Sequence, residues 1–514
     1  MTVSQTAASS LPAPFLDAKA TPLGGVLDDA VSPGSADPRE DNVGNKPRPN
    51  YILFSDVHLG ADLVQHVRPW TISRLKQVAN IDRQLASMID WYRERADPEH
   101  PWRLVIAGDL VDFIGMSIAP GVDVELTAEE RELGLGSTAS HAAMKMRAVA
   151  ERHALAFERL AAFIREGHSV VLVRGNHDVD FHWESAQRAF IDALHSRAAA
   201  PDPEFDSRVE FYPWFYYDDG LLYVEHGHQF DSMCAYDHLL APVSPRDPRR
   251  IAWSFSDILL RTVARPTPGL SSDGHDSTGM LHYLALAWSL GLHGCAKLLL
   301  RFFQAIKKAF TRWQHDLRSD VPRREHDSRM VELAARMRVR VEKLNQLSGL
   351  WASPVTRRVE AILRSLFLDR VLMATVVVAL LLCAALALPW GYAAGASACL
   401  FVGAVPLFRR SSRLRNDEVN PVLAMKRGAD RIAELFPTKF VVMGHTHTPE
   451  IERLKSGATY VNLGHWGVDD LDGEAEEPPQ THLVIRWVDG APEAEFLRWD
   501  RVAGPSPAGV GRVG

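Results

Sequence analysis

The run Arg103-Leu104-Val105-Ile106-Ala107-Gly108-Asp109-Leu110-Val111-Asp112 decides the fold. Its first half is short, apolar and β-rich, the pattern of a strand buried on both faces. Its second half is a glycine followed by two carboxylates, placed where that strand must end. The same grammar recurs outward in both directions. Residues 51–55 run into Asp56-Val57-His58, and residues 169–174 into Gly175-Asn176-His177-Asp178. Residues 221–225 run into His226-Gly227-His228, and residues 440–443 into Gly444-His445-Thr446-His447. Helical stretches at 81–95 and 141–166 separate the first three strands, an alternation that indicates a layered α/β domain. Strand patterning returns over 458–498 and closes a sheet.

Taken singly, each polar motif is common in ordinary loops. Strand ends of an open α/β sheet converge on one crevice, however, so five polar strand ends can form one cluster. Alternate residues, as in Asp56/His58 and His445/His447, reach a common centre when the chain leaves its strand in a turn. Gly108, Gly175, Gly227 and Gly444 let backbone pass close to that centre. Carboxylate oxygens and imidazole nitrogens without thiolate favour manganese, iron, zinc or cobalt over magnesium. Among the neighbouring polar residues, Asp178 reads as a structural acceptor and Asn462 and His465 as turn chemistry. His228 reads as a solvated loop histidine or a donor behind the ligands, and Cys234 as a small buried hydrophobe.

Composition narrows the function. The chain has 514 residues, 46% of them hydrophobic, and a net charge of -7. It can build a large core but offers no global basic field, so nucleic acid is disfavoured as a partner. The four cysteines, Cys234, Cys295, Cys383 and Cys399, are scattered without a CxxC pair, which excludes a disulfide framework and a zinc ribbon. No charged leader with an apolar stretch opens the sequence. Residues 1–49 and 503–514, rich in Pro, Gly, Ala and Ser, read as flexible tails.

The ordered set D-x-H, G-D-x-x-D, G-N-H-D, a further histidine and G-H-x-H resembles the calcineurin-like metallophosphoesterase superfamily over residues 50–240 and 420–500. The resemblance implies a four-layered αββα sandwich and two divalent metal ions. It implies that Asp56, His58 and His447 bind one ion, that Asn176, His226 and His445 bind the other, and that Asp109 bridges them. His177 would face the substrate, with Asp112 as its orienting partner. Two divalent ions against two ligand carboxylates leave a local positive excess that attracts phosphate, and a bridging water of lowered pKa could attack it in line. Phe113 stands where protein serine/threonine phosphatases usually carry Arg, which disfavours that branch. A partial resemblance to UDP-2,3-diacylglucosamine pyrophosphatases lies in residues 55–59 and in a helical lid between the fourth and fifth motifs. Those enzymes usually have Arg where this chain has His177, and a shorter lid.

Between the fourth and fifth motifs, residues 241–420 form a helical insertion that splits the catalytic domain into 50–240 and 421–502. At its centre residues 371–408 are uncharged and broken near Pro389, a length that fits two short transmembrane helices joined by a turn. Arg357, Arg358, Arg364 and Arg370 precede the run and Arg409, Arg410, Arg413 and Arg415 follow it, so both ends would face the cytoplasm, together with the catalytic domain. Residues 281–313 interleave aromatic and basic residues, as in a helix lying at lipid headgroups or packed on its own protein. The combined expectation is a membrane-anchored metal-dependent phosphoesterase acting on a phosphate-containing substrate, such as a lipid-linked one, with membrane lipid as partner. The alternatives are a tethered cyclic-nucleotide or general phosphodiesterase, and a catalytically silent binding module, which has no chemical need for the intact ligand set.

Overall fold

In the first three strands the side chains alternate between two cores, and this alternation sets the layers. From β1 (Asn50–Phe54), β2 (Trp102–Ala107) and β3 (Ser169–Val173), Ile52, Phe54, Leu104, Ile106, Val170 and Leu172 enter one core. Tyr51, Leu53, Val105, Ala107, Val171 and Val173 enter the other. With both faces covered, the strands have no reason to alternate polar with apolar residues. β4 (Val209–Tyr212) extends the parallel set beyond β3. A second sheet holds β5 (Phe215–Asp218), β6 (Leu222–Glu225), β7 (Phe440–Met443), β8 (Glu450–Arg453) and β9 (Thr459–Asn462), in the order β5-β6-β7-β9-β8. β10 (Thr481–Val488), β11 (Ala491–Asp500) and β12 (Gly504–Pro507) return to the first sheet, whose order is β12-β11-β10-β1-β2-β3-β4. This computed structural model describes residues 48–64, 72–119, 124–267, 280–316, 320–365, 368–387, 389–467 and 479–509.

Helices complete the sandwich. Of α1 (Ile72–Glu94), α2 (Ala128–Leu133), α3 (Ala139–Arg152), α4 (Ala154–Arg165) and α5 (Glu184–His195), all but the short α2 pack their apolar faces on the outer side of the first sheet. The insertion contributes α6 (Phe255–Leu259), α7 (Met280–Asp316), α8 (Val321–Arg336), α9 (Val341–Ser348), α10 (Val359–Ser365), α11 (Leu368–Ala387) and α12 (Trp390–Val419), and α13 (Pro421–Leu435) leads back into β7. Met330 and Leu333 of α8, Leu344 and Leu347 of α9, and Met425 and Ile432 of α13 cover the outer side of the second sheet. The two sheets share the core between them, so the layers run α, β, β, α.

Three expectations change. The helix expected over 141–166 is two, broken at His153, whose buried ring accepts a hydrogen bond from the Gly60 amide at 2.9 Å. That bond ties the loop after β1 to the helical layer. In place of a flexible tail at 503–514, Gly504–Pro507 forms an edge strand on β11, a position where Pro505 and Pro507 cost no central ladder bond. The N-terminal segment lies, up to residue 47, outside the described residues. Finally, the uncharged run at 371–408 does form two helices, α11 and α12, which pack on each other. Among the described residues, however, no helix is long and apolar enough to cross a membrane. The uncharged part of α11 spans only about 25 Å at 1.5 Å per residue, short of the ~30 Å hydrocarbon core. That of α12 is rich in Gly, Ala and Ser and continues into Arg409 and Arg410.

Candidate metal centre

The loops that leave the strand ends are stitched together largely by backbone amides. The amides of Val57 and His58 both donate to the Asp109 carbonyl, at 2.9 and 3.0 Å, and the Gly444 amide donates to the His226 carbonyl at 3.0 Å. The His445 amide donates to Asp56 Oδ2 at 3.0 Å, which joins the first motif to the fifth across the two sheets. These tight turns impose an unusual backbone. Asp56, His58, Asp109, His445 and His447 all have positive φ, between 53° and 70°. Non-glycine residues adopt that region at a cost and mostly where surrounding structure enforces it. Space is equally constrained: a Cβ on Gly175 would lie 2.1 Å from Asp109 Oδ1, and one on Gly444 2.4 Å from Asp56 Oδ2.

The side chains so placed converge. Asp56 Oδ1 lies 3.3 Å from His447 Nε2 and 3.9 Å from His58 Nε2. Asp109 Oδ2 lies 4.0 Å from His58 Nε2 on one side and 3.2 Å from His226 Nε2 on the other. Asn176 Oδ1 is 3.1 Å from His226 Nε2, and the His226 and His445 rings stand 5.2 Å apart. Asp56, His58 and His447 thus form one compact donor group, and Asp56, Asp109 and His226 another. His445 turns its Nε2 to Asp231 Oδ2 at 3.2 Å and groups with Asp231 and Cys234.

This donor set suits divalent cations. Asp56 and Asp109 are buried, and the basic side chains nearest their oxygens are the imidazoles of His58, His226 and His447. Burial opposes ionisation of both carboxyls, yet His226 and the other nearby imidazoles hold both below the usual carboxylate range. Burial and the neighbouring His177 bring His58 down to about 4, which keeps its ring neutral and able to donate a lone pair. Asp56 Oδ1 and His58 Nε2 are buried and make no hydrogen bond, as unclaimed ligand atoms would. The rim is more open than the floor: the His177 and His447 side chains are 17% and 24% exposed, against 0% for Asp56 and His226, so a substrate meets His177 and His447 before the buried donors.

His177 stands beside this group, its ring 4.6 Å from that of His58. Its Nδ1 is 2.8 Å from Asp112 Oδ1, the pairing expected of an orienting carboxylate. Asp112 also accepts from the Gly115 amide at 2.7 Å and from Arg265 Nη2 at 3.0 Å. Asp178 accepts from the amides of Gly175 and Leu110, as a structural residue should. Asn462 donates to the Gly444 carbonyl and holds the turn of the fifth motif. His465 stacks on His447 and sits 3.0 Å from its carbonyl. Cys234 is buried, but beside Asp231 and His445 rather than in a purely apolar niche. His228 is not a solvated loop residue: it is 3% exposed and 5.5 Å from His226, and neither ring nitrogen has a hydrogen-bond partner.

Sequence reasoning missed two contributors. Asp231 follows the fourth motif by only a few residues, and its acid side chain within reach of a histidine-rich turn was a usable signal. Arg265 had none, because it arrives from the insertion.

A two-sheet α/β protein whose strand ends gather carboxylates, imidazoles and an amide around a solvent-open rim belongs, by its chemistry, with metal-dependent hydrolases. The family model for calcineurin-like phosphoesterases matches residues 50–279. Over that stretch, which holds the first four motifs, the chain is similar to calcineurin-like phosphoesterases, a family of phosphoester hydrolases, and the similarity supports an enzyme of that class. No curated protein matches it. His445 and His447 lie beyond the matched stretch, and β7 delivers them from the second sheet.

Proposed function

We propose that this protein is a membrane-associated phosphoesterase that cleaves a phosphoester or pyrophosphate bond of a lipid-linked substrate at the bilayer surface. The observation that carries the phosphoesterase reading is the convergence of Asp56, His58, Asp109, Asn176, His226 and His447, from both sheets, on one donor cluster that His445 borders. Asp56, His58 and His447 would hold one divalent cation, Asn176, His226 and His445 a second, and Asp109 both. Manganese, iron, zinc and cobalt fit this donor set. When bound, such a pair supplies an activated water and neutralises phosphate charge. The remaining work falls to the chain. His177, aligned through Nδ1 by Asp112 and partly exposed at the rim, would give a proton from Nε2 to the departing oxygen.

Exposed apolar side chains support the membrane reading. Leu292, Leu299, Leu300, Phe303 and Phe310 of α7 are exposed, as are Leu382 and Leu386 of α11 and Trp390 and Tyr392 of α12. Exposed Lys297 and Lys307 lie among the α7 set, and Arg409 and Arg410 lie on α12. Exposed apolar side chains with basic residues among them suit helices seated at anionic headgroups, without crossing the bilayer. A bilayer whose anionic face is cytoplasmic would place the catalytic domain in the cytoplasm.

The test is hydrolysis by metal-loaded protein of a soluble aryl diester, a cyclic nucleotide, and a nucleotide-lipid pyrophosphate in anionic vesicles. Chelation should abolish all turnover, and the vesicle substrate should be preferred. Equal turnover of soluble cyclic nucleotide without vesicles would favour a tethered phosphodiesterase. No turnover with any of the four metals would leave a binding module.

A further inference from the structure

We infer that Arg265, carried by the insertion, is a positioning residue for the Asp112–His177 pair, so that the insertion sets how well the leaving group departs. The inference rests on the reading of His177 given above. Asp112 is 1% exposed and divides its two oxygens. Oδ1 takes the His177 ring nitrogen and the Gly115 amide, while Oδ2 takes Arg265 Nη2. Without the guanidinium, Oδ2 would be a buried charged oxygen lacking that donor, and the carboxylate would be free to rotate toward other partners. His177 would then lose the alignment of its Nδ1, and with it the aim of Nε2.

Independent features show that this contact is built rather than incidental. Gly115 is the residue that makes room for it: a Cβ there would lie 2.0 Å from Asp112 Oδ2 and 2.4 Å from Arg265 Nη2. Arg265 closes a π-helical turn, Leu260–Ala264, with its amide donating to the Leu260 carbonyl at 2.9 Å. Such turns are rare and concentrate at functional sites. Leu260 and Ala264 pack on Ile114 and Val179, which follow the second and third motifs. On the other side α7 grips the same turn. Val263 packs with Ala305 and Ala309, Lys308 donates to Thr262 at 3.2 Å, and Arg301 reaches the Pro266 carbonyl and, at 3.1 Å, Thr267. Arg265 is thus clamped between the helix with the exposed apolar face and the orienting carboxylate.

The experiment compares wild type, His177→Ala, Arg265→Gln, Arg265→Lys and the His177→Ala/Arg265→Gln double variant. Each is measured for metal content and for turnover of aryl phosphodiesters with progressively poorer leaving groups. Arg265→Gln should keep its metals and steepen the dependence on leaving-group pKa, losing on the order of tenfold with the poorest leaving groups. Arg265→Lys should recover part of this loss, because the charge remains while the planar fork does not. In the His177→Ala background, Arg265→Gln should add nothing further. If His177→Ala does not itself steepen the dependence, the role given to His177 fails. If His177→Ala steepens it but Arg265→Gln does not, or if the two losses add in full, the inference about Arg265 is overturned. Should Arg265→Gln fail to fold, Arg265→Lys decides: a smaller steepening supports the inference and a wild-type slope refutes it.

Discussion

Asp109→Asn tests the idea that one carboxylate serves two cations. Asp109 Oδ2 lies between His58 Nε2, at 4.0 Å, and His226 Nε2, at 3.2 Å, so the substitution removes an anionic ligand from both sides at nearly constant volume. Changes behind a metal ligand alone cost about 10–100-fold in affinity, and losing the ligand charge itself should reach at least the upper figure. At a metal concentration 100-fold above Kd, a bound ion stabilises the fold by about 2.7 kcal/mol, and a 100-fold weaker site at the same concentration gives only about 0.4 kcal/mol. The expected loss is therefore about 2 kcal/mol per ion, or roughly 4–5 kcal/mol for two. Elemental analysis after dialysis should show both ions depleted, and denaturant unfolding with and without metal should show the stabilisation largely gone. His447→Ala, which touches only the Asp56 side, should lose one ion and about half of the stabilisation. An Asp109→Asn protein that retains two ions per chain, with wild-type metal-dependent stability, would refute the bridging role.

Further outcomes follow from the same geometry. Gly175→Ala places a Cβ 2.1 Å from Asp109 Oδ1, so it should displace the carboxylate and lower metal occupancy and turnover together; unchanged metal content would contradict it. His482 is buried against the Tyr92 hydroxyl at 2.7 Å, and burial brings its ring down to about 3. Because the unfolded chain takes up this proton near pH 6.5 and the folded chain does not, stability is intact above that pH and falls below it, by about 2 kcal/mol between pH 7 and pH 5. His482→Gln should flatten that part of a stability–pH curve, and an unchanged slope would show that other groups control it. Replacing residues 371–408 by a Gly/Ser bridge should leave metal content and soluble-diester turnover intact, since α11 and α12 pack on each other and on α10. The excised protein should bind anionic vesicles less tightly, and equal binding would remove those helices from the membrane reading.

Much of the catalytic layer was legible because its signals are local. An apolar run that ends in Gly108 and Asp109 declares both a strand and a polar strand end, and five such ends need only one sheet-end crevice to meet. What was illegible depends on tertiary enforcement. Left-handed backbone at His58 and His445 is imposed by turns that bond to partners far along the chain, and nothing in their flanking residues announces it. β4, β5 and β8 are four residues each and, unlike the equally short β6 and β7, end in none of the five polar motifs that marked a strand end. The break at His153 reflects a bond to Gly60 from another layer. In 371–408 the helices and their break were readable from composition and Pro389. Membrane crossing was not, because total run length conceals how little of it each helix carries.

The hydrogen bond from the His445 amide to Asp56 joins residues separated by 389 positions. On a ribosome adding about 5–20 residues per second, roughly 20–80 s pass between the emergence of the two. By the end of that interval β1 still lacks its partner β10 and β6 has only just met β7, so the nascent chain has carried open sheet edges while holding every proposed metal donor except His445 and His447. The insertion is synthesised within the same window, and α8 and α9 belong to the layer that covers the second sheet. Timing thus gives the inserted helices a task distinct from docking or catalysis: they are available to shield an unfinished sheet until its last strands arrive.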